Sequence, residues 1–544
     1  MRVAVLWIAT CTVVAPLARA GDATTPGIFP RWSWFSEHLS AGRTNVELQD
    51  PIHLTDYLVE GRLELSLRAY TQLVLENNTD ITLARLQVVM PADAVTRAMS
   101  AYDPAFNASF TATRSTVPTT SILQGAPTLS SLTQPAAFSY QQTLPDGLNY
   151  NVTFTAERTT SNSSYVTLNP ALSAGLSVQF SEPLLSNRFG IVNKLNVLIV
   201  KSNLAASRHQ SRNQINNLLA SALNAYWDLV QARENLTIQK RFLELRKAAL
   251  DRIQKQADAG AALPVDLFQP RSAYAAAQVV FVQAAQSLAH ATNALRSQIG
   301  ADLDPVISTL PVVLSEPYAC PSPELPAKEV AIQRALALRP DRLAGLEMVS
   351  GDDLHIRSAT EELRPNLSLN AGYTSQGVGG VYNSLAANGA TITSGLGDTL
   401  RQVFGFGFPV YTMGVTLTLP MRGRAAAADL ADAAVQKKTD LLQLRKIEQA
   451  LRLQIANSLD DLETVKSAMA DAEVERQNAL KRVEAEQRKY ELGVTQVFFV
   501  LDAQTELNQA ESDLLMQSIA FRRDLIAYHL AVGDLLDDLG FHLQ

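Results

Sequence analysis

The chain contains few cysteines, and their number and positions limit its chemistry. Its 544 residues include only Cys11 and Cys320. Residues 1–20 combine the positive Arg2, an apolar run and the small-residue site Ala18-Arg19-Ala20, and this pattern predicts an export signal that is removed. Cys11 would leave with the signal and Cys320 would stand alone, so no disulfide within the chain is predicted.

Long apolar runs and an excess of positive charge are also missing. No segment after residue 20 offers the 18 or more consecutive apolar residues that predict a membrane-spanning helix. An exported chain of this kind could enter a membrane only as a closed barrel. The formal net charge is −7, which disfavours nucleic acid as a partner because phosphate binding needs a basic stripe.

Signatures of catalysis and of cofactor binding are not recognised in the sequence. The seven histidines are scattered without metal-ligand spacing, and no Ser/His/Asp order, Cys/His pairing or phosphate-binding loop stands out. We therefore expect no enzyme activity, no cofactor and no bound metal.

Two very long helical segments dominate the chain instead. Residues 191–259 and 425–492 contain no proline and repeat apolar residues in steps of three and four. A helix of that length measures about 100 Å, whereas ordinary helices average about 11–12 residues. Such a period predicts helices that supercoil against their neighbours as a coiled coil.

Other segments alternate between apolar and polar residues and predict β-strands. They include residues 106–113, residues 148–158 after the turn Pro145-Asp146-Gly147, and residues 172–180. Their second face is small and polar with few charges, which is typical of a transmembrane barrel wall. A soluble β-sandwich alternates in the same way, so the strands alone leave both structures open.

The ends of the two long helices repeat the same pattern. QADAGA at 256–261 is followed by DLFQ at 266–269, and KYELGV at 489–494 is followed by VLDAQ at 500–504. We interpret the chain as two tandem repeats, each with a short helix, a β-hairpin, a long helix and a return helix. One chain has too few elements to close a cylinder, so several identical chains would be required.

The predicted organisation has six parts. Residues 63–76 are predicted to begin the first repeat as a short helix, and an additional hairpin near 136–160 has no counterpart in the second repeat. Whether that hairpin lies in a barrel wall or projects from it is left open. The parts are a signal peptide (1–20), an N-terminal periplasmic segment (21–60), a first repeat (61–300, strands at about 104–181, long helices at about 189–300), a linker or equatorial segment (301–338), a second repeat (339–538, strands at about 366–419, long helices at about 425–536) and a C-terminal end (539–544).

Short motifs in this order resemble the outer membrane efflux protein family, the TolC-like exit ducts. They are LENNTD at 75–80, YDP at 102–104, SEPLL at 181–185 and the two glycine turns. The resemblance implies an α+β membrane protein. It would be a homotrimer with a shared β-barrel of about twelve strands, four from each chain. A long α-helical coiled-coil tunnel would cross the periplasm.

The resemblance also implies a function and partners. The chain would be a passive duct of a tripartite efflux or type I secretion system, surrounded by outer membrane lipid. A periplasmic adaptor and an inner-membrane pump would dock on the tunnel. The alternative from another class is a periplasmic coiled-coil scaffold with a soluble β-domain and no channel.

A duct of this family is narrowest just after each glycine turn, and two residues are candidates for this gate. Asp502 aligns with a position that often provides a ring of carboxylates, which would attract cations and repel anions. Phe499 stands where the family often has an acid, and a ring of phenyl groups would close a pore by dewetting. Alternatively, Phe499 belongs to the coiled-coil core and Asp502 to a solvated face.

The resemblance further implies a polar latch that holds the tip closed. Its members here would be the Tyr490 hydroxyl and the Asp266 carboxylate, while Thr495 replaces an accompanying basic residue and weakens the latch. Alternatively, Asp266 stabilises the start of the return helix through the helix dipole. Gly260 and Gly493 would supply the positive φ that ends each long helix and form the tips on which an adaptor docks.

Overall fold

The computed structural model describes residues 52–120, 124–259, 263–317, 326–382, 393–419 and 421–541. The predicted signal peptide, Gly260 and Cys320 lie outside the described residues.

Eleven α-helices and eleven strands are defined within these ranges. The helices are α1 (Leu67–Asn77), α2 (Thr79–Leu86), α3 (Val89–Met99), α4 (Ile191–Asp258), α5 (Phe268–Gln298), α6 (Lys328–Leu338), α7 (Pro340–Glu362), α8 (Leu396–Phe404), α9 (Arg424–Glu491), α10 (Val497–Val532) and α11 (Leu535–Asp538). The strands are β1 (Leu58–Val59), β2 (Arg62–Leu65), β3 (Ala105–Phe110), β4 (Thr113–Pro118), β5 (Thr128–Thr143), β6 (Asn149–Ser161), β7 (Leu168–Pro183), β8 (Val312–Leu314), β9 (Asn366–Tyr382), β10 (Thr393–Ser394) and β11 (Pro409–Thr418).

The two long helices, α4 and α9, have the same length of 68 residues. At ~1.5 Å per residue each extends about 100 Å. Their buried residues recur every three or four positions, so one stripe of each helix faces its neighbours. Examples are Leu219, Leu223, Tyr226 and Val230 in α4, and Leu451, Ile455, Leu459 and Leu462 in α9. The return helix α5 packs along α4, and α10 packs along α9.

Each return helix ends where a shorter helix continues along the same long helix. The Asn78 side chain caps α2 and donates from Nδ2 to the carbonyl oxygen of Gln298 at the end of α5, at 3.0 Å. In the second half, Arg339 precedes α7 and donates to the carbonyl oxygens of Leu530 and Ala531 near the end of α10, both at 3.0 Å. Because these junctions are polar and at least partly buried, they specify where one helix stops and the next begins.

A small sheet and the surrounding helices form the largest buried core. The parallel pair β2–β8 and the strand β1 place Leu63 and Leu65 against a cluster that includes Tyr70 and Tyr226. The prediction of a helix over residues 63–76 is therefore wrong at its start. Leu63 and Leu65 alternate with polar neighbours, and the helix begins only after Ser66, whose Oγ accepts from the Ala69 N–H at 3.2 Å.

The larger sheet is antiparallel throughout. β3 and β4 follow one another along the same side of β5 and together form one edge strand, the β3–β4 strand. After β5 the order is β6, β7, β9 and β11, and the short β10 pairs with the far end of β9. Each of the six long strands therefore pairs with the next one along the chain.

One face of this sheet is mainly apolar and the other is mainly polar. Directly opposed residues form one apolar row and one polar row across the sheet. The apolar row is Phe106, Tyr140, Val152, Val178, Tyr373 and Tyr411. The polar row is Asn107, Ser139, Thr153, Ser177 and Thr374, and it ends in β11 on the apolar Val410. Among the described helices, none combines the length and the apolar character needed to cross a bilayer.

Candidate functional site

The end of α9 that lies farthest along the helix from the sheet is an exposed glycine turn. Gly493 has a φ of +73°, its N–H donates to the carbonyl oxygen of Tyr490 at 3.0 Å, and the Val494 N–H donates to Lys489 at 2.9 Å. A residue with a Cβ is strained at this φ, so glycine lets α9 end and the chain reverse. Leu492 and Val494 are largely exposed beside it.

Two phenylalanines start the return helix after this turn. The rings of Phe498 and Phe499 meet edge to face with centroids 5.4 Å apart. Both rings are about half exposed, at 48% and 46%, whereas the next residues, Val500 and Leu501, are buried. Within one chain, therefore, neither ring is enclosed by the coiled coil, and half of each is available to another surface. The assignment of Phe499 to a gate stays a prediction.

Asp502 follows one turn later and is paired with a cation. Its Oδ2 accepts from Nη2 of Arg482 on α9 at 2.9 Å, and the same guanidinium forms an ion pair with Glu506. All three side chains are partly exposed. Two carboxylates share one guanidinium, so the group keeps one net negative charge per chain. A ring of Asp502 residues would therefore attract cations less strongly than a ring of unpaired carboxylates. The assignment of Asp502 to the gate stays a prediction.

Arg246 is a member of this region that sequence reasoning missed. It lies on α4, is only 4% exposed, and donates from Nη2 to the Leu501 carbonyl oxygen at 2.8 Å and to Oγ1 of Thr505 at 2.5 Å. Its guanidinium also covers the ring of Phe242, 4.6 Å from the centroid. Burial lowers the pKa of Arg246 to about 10, and the nearby Asp502 carboxylate partly opposes this shift.

A sequence signal for Arg246 was present in the helical period. Gln239, Arg246 and Ile253 are all buried and are spaced seven residues apart. A charged residue at a core position of a heptad needs a polar partner across the helix interface. In this structure the partner is the backbone of α10 beside Asp502, so Arg246 links α4 to the segment that carries both gate candidates.

The two latch candidates have other partners in the described chain. The Tyr490 hydroxyl donates to Oε1 of Gln256 on α4 at 2.9 Å. Oδ2 of Asp266 accepts from the Leu263 N–H at 3.0 Å and so stabilises the start of the return segment. Tyr490 still joins the two helical pairs, with Gln256 as its acceptor. The direct link from Tyr490 to Asp266 stays a prediction.

A second cluster of acids lies between α7 and α9. Asp352 is 6% exposed and faces Asp440, while the adjacent Asp353 pairs with Lys437 at 2.5 Å. Burial and the Asp440 carboxylate raise the pKa of Asp352 to about 6. Within the described residues no group of three or more side chains could hold a metal ion.

We expect the contribution of Asp352 to stability to fall as the pH rises from about 4 to about 6, because the folded state keeps the proton of this carboxyl group up to about pH 6. The unfolded chain releases that proton near the ordinary value of 3.8, so the folded state binds more protons in this window. Asp352→Asn is expected to flatten this part of the stability profile, measured by thermal unfolding between pH 4 and pH 8. Asp471→Asn, at an exposed position of α9, is the control, and equal profiles for the two variants would contradict the prediction.

Known proteins with a similar sequence or a similar structure indicate the class of fold to which the chain belongs. No protein-family profile matches the chain. The outer membrane efflux protein BepC of Brucella suis biovar 1 (strain 1330) is 24% identical over 342 residues, covering 61% of this chain and 68% of that protein. A membrane protein from Pseudomonas aeruginosa has a similar structure, with a TM-score of 0.62, 20% identity, and coverage of 86% of this chain and 93% of the other.

A second solved structure agrees with the first. The CmeC outer membrane channel of Campylobacter jejuni gives a TM-score of 0.60 at 17% identity, with 96% of this chain and 94% of that chain covered. The chain therefore has the α+β fold of the TolC-like outer membrane channels, and the resemblance predicted from the sequence is confirmed at the level of the fold.

Proposed function

We propose that the chain is one subunit of a homotrimeric outer membrane channel, the exit duct of a tripartite efflux or type I secretion system. The observation that carries this proposal is the combination of two 68-residue helices with a sheet that is apolar on one face and polar on the other. In a membrane barrel the apolar face contacts lipid and the polar face contacts the water-filled interior.

Exposure of the apolar face supports a lipid environment over a soluble β-domain. Phe106, Phe110, Tyr411 and Met413 are 67–82% exposed in the single chain. Phe106 and Phe110 lie on β3 at one edge of the sheet and Tyr411 and Met413 on β11 at the other, so both edges of this face are open. Soluble monomers rarely expose large apolar patches to water. The helix α8 covers part of this face. A periplasmic scaffold would need another protein to cover the rest, whereas a bilayer covers it directly.

The free edges of the sheet support assembly from identical copies. In the described residues, the outer edges of the β3–β4 strand and of β11 have no strand partner. An open edge exposes unpaired backbone groups, and closing the sheet through neighbouring subunits satisfies them. The return helix α5 also leaves Val279, Val280 and Val282 40–60% exposed, which fits packing against a neighbouring helical pair.

The helical part would form the periplasmic tunnel, with two structural repeats per subunit. Equal lengths of α4 and α9 and the matching junctions at Asn78 and Arg339 support the repeat. The glycine turns at Gly260 and Gly493 would then form the inner tip, where an adaptor docks and connects the duct to an inner-membrane pump. Phe499 and Asp502 would constrict the tip, and Tyr490 with Asp266 or Gln256 would tie it closed.

The test is the behaviour of the protein in membranes. We expect it in the outer membrane fraction after washing with high salt, as an oligomer that survives detergent electrophoresis without boiling and becomes a monomer after boiling. Purified protein should form ion-conducting channels in planar bilayers. Release of a monomer by salt, with no channel activity, would instead establish the scaffold.

A further inference from the structure

We propose that the hairpin β5–β6 is part of the barrel wall, so that each subunit contributes six strands and the closed barrel has eighteen. This inference rests on the proposed trimeric channel. The resemblance implies about twelve strands, four per chain, and the hairpin is the addition whose place the sequence leaves open. The six strands are the β3–β4 strand, β5, β6, β7, β9 and β11, and three subunits then give eighteen.

Strand pairing places the hairpin inside the sheet. β5 pairs with β3 and β4 on one side and with β6 on the other. β6 pairs with β5 along its whole length and with β7 from Asn149 to Thr159. A hairpin that projected from the wall would leave β7 to pair directly with the β3–β4 strand. Here β5 and β6 separate those two strands, and removing them would break the sheet.

The polarity of the hairpin follows that of the neighbouring strands. Phe138, Tyr140 and Val152 are on the apolar face, in register with Leu176 and Val178 of β7. The polar face continues in the same way through the hairpin. Its members in two successive rows are Ser139, Thr153 and Ser177, and Gln141, Asn151 and Gln179. In the proposed barrel, one face of the wall meets lipid and the other meets water, so every wall strand must alternate in this way, and the strands of the hairpin do.

The turn of the hairpin is fastened to the first long helix. A Cβ on Gly147 would lie 2.6 Å from the backbone nitrogen of Gly190, and a Cβ on Gly190 would lie 2.4 Å from the Pro145 carbonyl oxygen. Both glycines have positive φ, at +97° and +63°. Asp146 also accepts from Nζ of Lys194 on α4 at 3.5 Å. The turn is thus built into the junction between the sheet and the helices.

A short helix braces the hairpin from the apolar side. α8 lies against β9 and β7, where Oγ of Ser375 donates to the Val403 carbonyl oxygen at 2.7 Å. Its last residue, Phe404, stacks on Phe154 of β6, with centroids 6.3 Å apart and ring planes within 10°. The brace therefore joins strands from both halves of the chain to the hairpin and holds them in one surface.

The added strands change the width of the outer end of the duct. Barrel diameter grows roughly in proportion to strand number, and barrels of 16–18 strands enclose an aqueous channel. The outer barrel would then be about half as wide again as one with twelve strands. Because the turn of the hairpin lies beside the start of α4, the extra width applies to the exit and leaves the distant tip unchanged. The exit would admit bulkier cargo than the barrel of a twelve-strand duct.

Accessibility of single cysteines in the whole trimer, reconstituted in liposomes, tests this placement. In a Cys320→Ser background, cysteines replace Ser139 and Thr153 on the polar face and Phe138 and Val152 on the apolar face. Ser177 and Val178 of β7 are the matched controls outside the hairpin. A charged methanethiosulfonate reagent is expected to label the polar positions at least tenfold faster than the apolar ones, in the hairpin as in β7.

The outcomes separate the two proposals. If Ser177 and Val178 differ but all four hairpin positions react equally fast, the hairpin lies outside the wall and the channel remains. If the β7 pair also reacts equally, the channel itself is wrong and the inference fails with it. The unmodified protein provides a second measurement, because electron cryo-microscopy of the trimer should resolve eighteen strands in the barrel, and a count of twelve would overturn the inference.

Discussion

Tyr226→Ala is expected to lower the free energy of unfolding by about 3–5 kcal/mol, the range for deleting a large buried aromatic side chain. Tyr226 lies on α4 and is fully buried. Its ring packs against Tyr70 and Trp227, with centroids 5.4 Å and 5.6 Å away. Removal would leave a cavity at the point where α1, the small sheet and the long helix meet. The measurement is the free energy of unfolding, from denaturant titration of the purified protein.

The matched control for this variant is Tyr226→Phe. It keeps the ring and loses only the hydroxyl, which donates to the Leu65 carbonyl oxygen at the long distance of 3.4 Å. One ordinary hydrogen bond contributes about 0.5–1.5 kcal/mol, and one this long is expected at the low end. Equal free energies of unfolding for the two variants would contradict the prediction.

Phe499→Ser is expected to raise the current through the closed channel about tenfold, because a polar ring no longer excludes water from the constriction. Phe499 is half exposed in the single chain, so its ring is free to meet its symmetry mates. The measurement is single-channel conductance of the purified trimer in planar bilayers.

Phe498→Ser is the control for the gate, since Phe498 has nearly the same exposure and lies one position away on the same helix. Adjacent helical residues point about 100° apart, so only one of the two can face a common axis. A similar rise in both variants would show that the serine loosens the tip in general. No rise in either would remove Phe499 from the gate.

The tip shows why candidate residues can be named from sequence while their partners cannot. The glycine at Gly493 marks where the chain must reverse after α9, and the resemblance to the TolC-like ducts assigns Tyr490 and Asp502 by their distance from it along the chain. Their partners, Gln256 and Arg482, depend on how α4, α9 and α10 are rotated about their axes. A rotation of one helix by a single residue position would change every partner, and no local pattern specifies it.

The small sheet shows the same limit at a larger scale. Residues 63–65 alternate over too few positions to be distinguished from the start of a helix, and their partner β8 lies in what reads as a proline-rich linker. The strand exists because Leu63 and Leu65 fill the core beside Tyr226, which is a contact across more than 160 residues.

Periodicity alone was sufficient to predict the long helices and the alternating strands, because a proline-free heptad pattern and a two-residue alternation are local properties of the chain. Only long-range packing decided that β5 and β6 lie between β7 and the β3–β4 strand, and that Arg246 contacts α10. Those arrangements depend on which apolar surfaces and which buried polar groups find partners far away in the sequence.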